Sequence, residues 1–350
     1  MLCKIITHPP HKNYGGILQA YALSSAIKEA GHQVSVINGP HKRIPLSKKI
    51  IASLKKLFGN DKDSRFTNLQ KFVDKYISLS DRWHGGSIPV GDCVIVGSDQ
   101  VWRPDYTHLP GSYFLDFMQN AANVKRIAYA ASLGVDHWLF TEEQTRKYGE
   151  LIKLFDSVSV REKSAVPLLN KHWQIDALQM PDPTLLHSAD FYRKCFTDDN
   201  KIPENVLFTY FLDPNDEKRK LAADLAAELK VPLFNFMPAG KKARLRPVEE
   251  FLMGIDRAQM VLTDSFHGMV FSMIFQTPFA VTGNAKRGMT RFQLAEEAGC
   301  GKALLNGEYS LEHCLELSSD REYFAAAQDF LAGERLRGRA YLQENLGGSF

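Results

Sequence analysis

The chain has 350 residues, 44% hydrophobic and 24% charged, with a formal net charge of +3. That length suits two ordinary domains rather than a single core, and so small a charge makes no electrostatic case for a nucleic-acid partner or an acidic interaction tail. Five widely spaced cysteines, Cys3, Cys93, Cys195, Cys300 and Cys314, without a C-x-x-C pair, point to reduced thiols and a cytoplasmic location.

At the N-terminus, MLCKIITHPP is too short in apolar residues for a secretory signal. No window approaches the roughly 18 apolar residues of a membrane span, so neither export by that route nor a span is expected. Leu2–His8 reads as a strand, 8–16 as a loop, Ile17–Ala30 as a helix closed by Gly31, and Val34–Asn38 as the strand completing a βαβ unit. The loop leaves the carboxyl end of a strand, where open α/β sheets bind ligands, so Asn13, Gly15 and Gly16 are candidate substrate contacts. A plain turn explains the same glycines. Further on, Ile50, Ile51, Leu54, Leu57 and Phe58 share one helical face, with Lys48, Lys49, Lys55 and Lys56 away from it. Such a helix usually covers its own domain; the other reading is peripheral contact of 48–58 with an anionic membrane.

Cys93–Gly97 reads as a buried strand running into Ser98-Asp99-Gln100, and Ile127–Ser132 repeats the pattern. The strand Ser157–Val160 delivers Arg161 and Glu162 ahead of a helix beginning near Ser164. Arg161 is a candidate anion ligand, because its planar fork suits carboxylate or phosphate, and an ion pair with Glu162 is the equal alternative. After Ile175–Met180, Pro181-Asp182-Pro183 makes a rigid exit from a first domain, 1–187. The polar stretch 188–205 is the bridge. A second series then runs through a strand Val206–Phe211, a helix Glu217–Lys230 and a strand Pro232–Phe236, in a domain of 206–325.

Within that domain, Gln259–Gly283 reads as strand Met260–Thr263, helix Gly268–Gln276 and strand Pro278–Val281, a unit of a parallel sheet. Asp264, Ser265 and His267 fall at the strand-to-helix junction, where a capping residue and the positive helix end favour an anionic ligand beside an imidazole. A capping Ser beside a His satisfied in the core accounts for the same residues. Lys286, Arg287 and Arg291 follow, as phosphate ligands or as a solvated basic loop. The remainder, 326–350, reads as a helix packing back across both domains. Two strand–helix series joined by a bridge give an α/β protein of two Rossmann-like domains facing a cleft. No metal is expected, since the histidines lack ligand spacing, and neither G-x-S-x-G nor a Walker A loop is present.

Five stretches, NYGGILQAYAL (13–23), VGSDQVW (96–102), SVREKSA (159–165), PDPTLL (181–186) and TDSFHGMVFSMIFQTPF (263–279), occur in an order that resembles the polysaccharide pyruvyl transferases. The resemblance implies a GT-B-like fold and transfer of a pyruvyl group from phosphoenolpyruvate to two hydroxyls of a sugar, forming a cyclic ketal and releasing phosphate. It implies no cofactor, phosphoenolpyruvate being the donor substrate. His267 matches the family's catalytic His, and Arg161 an Arg implicated in handling the donor. One position departs: some members carry Arg two residues before this His, where this chain has Ser265, so Lys286, Arg287 or Arg103 would supply that charge. Gly268 would present a helix-start N–H to the donor. Ketal formation needs a proton on the donor's methylene carbon and removal of two hydroxyl protons, and an imidazole with an ordinary pKa near ~6.5 serves both. Asp99, Asp105 and Asp182 are candidate bases or simple turn residues. The acceptor is a sugar in a surface polysaccharide or its precursor; were it lipid-linked, the protein would work at the inner membrane face. Two alternatives stand beside this reading: a GT-B-like glycosyltransferase using a nucleotide sugar, and a non-catalytic member of a polysaccharide biosynthesis cluster.

Overall fold

The computed structural model describes residues 1–41, 62–84, 91–197, 202–240, 243–283, 292–305 and 309–349. The basic helix read at 48–58, and Lys286, Arg287 and Arg291, lie outside them.

The first sheet holds β1 (Leu2–Ile6), β2 (Gln33–Asn38), β3 (Leu79–Arg82), β4 (Cys93–Val96), β5 (Lys125–Ala131), β6 (Ser157–Val160) and β7 (Leu178–Gln179), in the order β3-β2-β1-β4-β5-β6-β7. The second holds β8 (Leu207–Tyr210), β9 (Leu233–Asn235), β10 (Met260–Thr263) and β11 (Phe279–Val281), ordered β11-β10-β8-β9. Every strand pair is parallel. Central strands such as β4 and β10 are apolar and fully buried along their length, as sheets covered on both faces require. The outcome is the expected α/β architecture of two Rossmann-like halves.

Helices α1 (Tyr14–Glu29), α2 (Thr67–Tyr76), α3 (Glu142–Ile152) and α4 (Ala165–Trp173) accompany the first sheet, and α5 (Asp216–Leu229), α6 (Val248–Asp256), α7 (Phe266–Phe275) and α8 (Leu311–Ser319) the second. The last helix, α9 (Ala327–Leu346), reaches both: Gln328 donates to the Met273 carbonyl at 2.8 Å, and Tyr341 donates to the Ala128 carbonyl at 3.0 Å.

Three of the boundaries that differ from the sequence reading bear on the site. α1 starts at Tyr14 rather than Ile17, because Asn13 caps it with its side chain accepting from Gly15 N at 2.9 Å; Gly15 and Gly16 are therefore helical, not loop. α7 starts at Phe266, capped by Ser265, so that Gly268 lies inside the first turn. The strand read at Ile175–Met180 shrinks to β7, an edge strand with a single paired neighbour.

In each sheet the strand order reverses once, between β1 and β4 and between β8 and β10, and such a reversal opens a crevice at the strands' carboxyl ends. Both crevices open onto the same cleft.

Candidate active site in the interdomain cleft

A cleft of about 540 Å³ is lined from the first half by His8, His11, Lys12, Asn13, Gly16, His41, Asp99 and Arg161, and from the second by Leu212, Ser265, Phe266 and His267. Leu212 follows β8 and His267 follows β10, one on each side of the second sheet's reversal. Two N–H groups in the loop after β8, Leu212 N at 2.6 Å and Asp213 N at 3.0 Å, donate to the fully buried Asp264 carboxylate, whose charge is matched by Lys218 Nζ at 2.7 Å. Asp264 thus ties the ends of β8 and β10 together, and the cap at α7 falls to Ser265, whose Oγ accepts from Gly268 N at 3.4 Å. A Cβ on Gly268 would collide with Thr263 Oγ1, so the glycine lets the helix pack onto the end of β10.

The ring of His267 leans out of α7 toward the first half. A Cβ placed on Gly15 would overlap that ring, so Gly15 leaves room for the imidazole against the start of α1. Tyr14 fixes that start. Its ring inserts among Tyr210, Phe236 and Phe251 of the second half, with centroids 5.9, 5.2 and 5.2 Å away, and its hydroxyl donates to the Arg246 carbonyl at 2.9 Å. Burying a ring of this size is worth about 1.5–3 kcal/mol, enough to hold the glycine and the imidazole in register.

Behind His267 lie Asp182 and Arg161. His267 Nε2 is 3.7 Å from Asp182 Oδ2, a charge contact too long for a hydrogen bond, and Nε2 has no hydrogen-bond partner among the described residues. Asp182 accepts from Arg161 Nη1 at 3.2 Å, from Thr184 N at 3.0 Å and from Thr184 Oγ1 at 2.8 Å. Burial alone would raise the Asp182 pKa, but His267, Arg161 and the Thr184 N–H together hold it well below the usual carboxylate range. Arg161 also donates to Glu162 Oε1 from Nε at 3.1 Å and from Nη2 at 3.0 Å, and to Ser132 Oγ at 3.1 Å, with its guanidinium 4.7 Å over the Phe266 ring. Burial works against its charge, and Glu162, Asp182 and Asp99 overrule that and raise its pKa. Ser132 reaches this network past a bulge: the β5–β6 register shifts between Ala128 and Ala131, where Ala130 has φ 46.

Arg161 and His267, far apart in the chain, therefore converge on one carboxylate. Asp99 sits across the cleft with φ 69, its Oδ1 accepting from Gln100 N at 2.8 Å, and Asn13 and Gly16 line the wall beside it. Asp182, read from sequence as a candidate base or a turn residue, is the carboxylate shared by Arg161 and His267, and Arg103 stacks its guanidinium 4.3 Å over Tyr106 rather than lining the cleft. Sequence reasoning passed over the imidazoles of His8, His11 and His41, and the buried Gln19, which joins Thr7 Oγ1 at 2.9 Å to Ser98 N at 3.1 Å across the first sheet's reversal. The repeated histidines of HPPHK were the only available signal. No group of three or more His, Cys, Asp or Glu among the described residues is arranged to hold a metal ion, and no helix among them is long and apolar enough to cross a membrane.

Two parallel sheets presenting their order reversals to a shared cleft define a GT-B-like α/β protein. The same fold occurs in a UDP-GlcNAc 2-epimerase from Neisseria meningitidis bound to UDP-GlcNAc (TM-score 0.51, 12% identity, 99% of this chain and 98% of that one). It occurs also in a putative UDP-N-acetylglucosamine 2-epimerase from Listeria monocytogenes (TM-score 0.52, 14%, 99% and 98%) and in S. aureus MnaA with UDP (TM-score 0.52, 14%, 100% and 98%). A sequence model of polysaccharide pyruvyl transferases matches residues 13–286, and the chain belongs to that family. No curated protein matches it significantly in sequence.

Proposed function

We propose that the protein transfers a pyruvyl group from phosphoenolpyruvate to two hydroxyls of a sugar in a surface polysaccharide or its precursor. Two C–O bonds form at C2 of the donor, its methylene carbon gains a proton to become a methyl group, and the C2–O bond to phosphate breaks. The observation that carries the reading is the position of His267: at a helix start, facing an interdomain cleft, with Nε2 unpartnered beside an ionised carboxylate. Family membership supports the same chemistry. His267 delivers the proton to the methylene carbon and takes protons from the attacking hydroxyls. Asp182 steadies the imidazolium that this shuttle creates, and Arg161 holds Asp182 in place. The starts of α1 and α7, with Asn13, Gly16 and Ser265 on the cleft wall, form the rim on which the donor's anionic groups rest, and Asp99 faces the acceptor hydroxyls.

The test is incubation with phosphoenolpyruvate and a panel of aryl and lipid-linked glycosides, read by product mass and phosphate release. Wild type gains one ketal-linked pyruvyl group across two hydroxyls and releases one phosphate for each. His267→Ala abolishes phosphate release while its circular dichroism stays at the wild-type value. Retained turnover in that variant would refute the assigned role.

A further inference from the structure

An imidazole holds one exchangeable proton at a time, so His267 serves both acceptor hydroxyls only with a second base to share the load. Ketal formation sheds two hydroxyl protons, of which one ends on the methylene carbon and the other on the released phosphate. In the first step protonated His267 gives its proton to the methylene carbon, which binds it with the π electrons. The first hydroxyl oxygen bonds C2, and the imidazole recovers that hydroxyl's proton. The ring is then loaded again. In the second step the C2–O bond to phosphate breaks, its electron pair leaving with the phosphate, and the second hydroxyl oxygen bonds C2. The proton on that oxygen needs a base that is still empty.

Asp99 is the one carboxylate among the described residues that line the cleft, while Asp182 and Asp264 are committed to Arg161 and Lys218. It stands three residues past the end of β4, at the first sheet's order reversal. Neighbours on both sides hold its backbone. The Asp99 carbonyl accepts from Val101 N at 2.7 Å and from Ser132 N at 3.0 Å, and the Gln100 carbonyl accepts from His8 Nε2 at 3.0 Å. These bonds keep Asp99 at φ 69, a left-handed conformation that Asp and Asn tolerate better than other side chains with a Cβ. Backbone of this kind gathers at active sites, where the surroundings enforce it. Gln100 N engages Oδ1 at 2.8 Å, and Oδ2 faces the first turn of α1, 3.5 Å from where a Cβ on Gly16 would stand. A Cβ on Gly15, one residue earlier, would overlap the His267 ring. The imidazole and this carboxylate therefore flank one helical turn, at most about 12 Å apart by chain geometry. Two hydroxyls on one sugar, each hydrogen-bonded at about 3 Å, reach both.

We infer that Asp99 is the catalytic base for the second acceptor hydroxyl: it takes that proton and passes it to the departing phosphate, which leaves as hydrogen phosphate with Asp99 ionised again. The assignment rests on the pyruvyl transfer proposed above.

The test uses Asp99→Asn. Its amide oxygen still accepts from Gln100 N and Asn suits φ 69, so the fold is kept and the base is lost. Ketal formation is read by product mass, phosphoenolpyruvate binding by calorimetry, and the first step by deuterium at the methylene carbon of phosphoenolpyruvate recovered from deuterium oxide. Ketal formation should fall about 100-fold or more, the scale of general-base catalysis. Phosphoenolpyruvate affinity should stay within about twofold of wild type. Because His267 still completes the first step and that step reverses, recovered phosphoenolpyruvate should gain deuterium when an acceptor is present, whereas His267→Ala should give none. Ketal formation by Asp99→Asn within about threefold of wild type would overturn the role of Asp99 alone. Loss of deuterium exchange together with ketal formation would overturn it by placing Asp99 in the first step, and a matching loss of phosphoenolpyruvate affinity would do so by making it a donor contact. No ketal from wild type with any acceptor would overturn the pyruvyl transfer itself, and the part of Asp99 with it.

Discussion

Asp182 is the residue on which the site turns. It is 2% exposed, stays ionised because Arg161, His267 and Thr184 surround it, and is, among the described residues, the one carboxylate that both candidate catalytic side chains contact. Removing one member of a buried ion pair leaves the other charge uncompensated, at a cost of about 3–5 kcal/mol. In Asp182→Asn, Glu162 still faces Arg161 and the amide oxygen still caps the Pro183–Leu186 turn, so the lower end, about 3 kcal/mol, is expected. The check is urea unfolding together with phosphate release: activity should fall further than the folded fraction does, because the imidazolium loses its counter-charge. Wild-type stability in this variant would mean that Arg161 does not depend on Asp182. The residue types at the site were readable; Arg161 and His267 stood out by chemistry at a strand end or a helix start. Asp182 was readable only as a candidate base or a turn residue between two prolines, and its role as their common partner was not, because contact across the chain sets it.

At the scale of an element, the start of α1 is decided by tertiary contact. Two glycines suggest a loop, yet Asn13 caps, Tyr14 plugs into the second half, and Gly15 yields its Cβ space to His267. Gly15→Ala should therefore displace the ring or the helix, at about 1–3 kcal/mol of overpacking. Since a misplacement near 1 Å can cost about 100-fold in rate, kcat should fall by that order while the helix content is retained. Unchanged kcat and Tm would show that the ring does not rest there. Apolar periodicity located β10, β6 and most of α5 from sequence, because a fully buried strand or helix has to declare itself in runs of side chains. Helix starts moved by two or three residues because caps and neighbours, not periodicity, set them.

At the scale of the whole molecule, α9 clasps the first half through a buried imidazole. His187 Nε2 donates to the Ala22 carbonyl at 2.9 Å, its ring stacks on Phe191 at 3.7 Å, and Nδ1 faces Arg339 Nη2 at 3.4 Å, so the neutral tautomer fits. Arg339 also donates to the Leu186 carbonyl at 2.9 Å and to Glu29 at 2.8 Å. Burial pushes His187 down to about 4, which Arg339 and Arg335 reinforce and Glu29 opposes. The unfolded chain takes up this proton first as pH falls below ~6.5, so the stability is complete above that value and is lost progressively toward pH 4. The loss amounts to about 3 kcal/mol. Wild-type Tm should drop between pH 7 and pH 5 more steeply than that of His187→Gln; parallel curves would remove His187 from the account.

The amino-acid sequence alone determined the α/β class, the two series of strands, and the kinds of side chain at the strand ends, since these follow from local periodicity and residue chemistry. Tertiary structure alone decided which loops meet. It aligned the order reversals of two sheets, set the ring of His267 against Gly15, and gathered His11 and His41 from two loops into one wall. Contacts between residues so distant in the chain depend on strand order and interdomain packing, which no local pattern encodes.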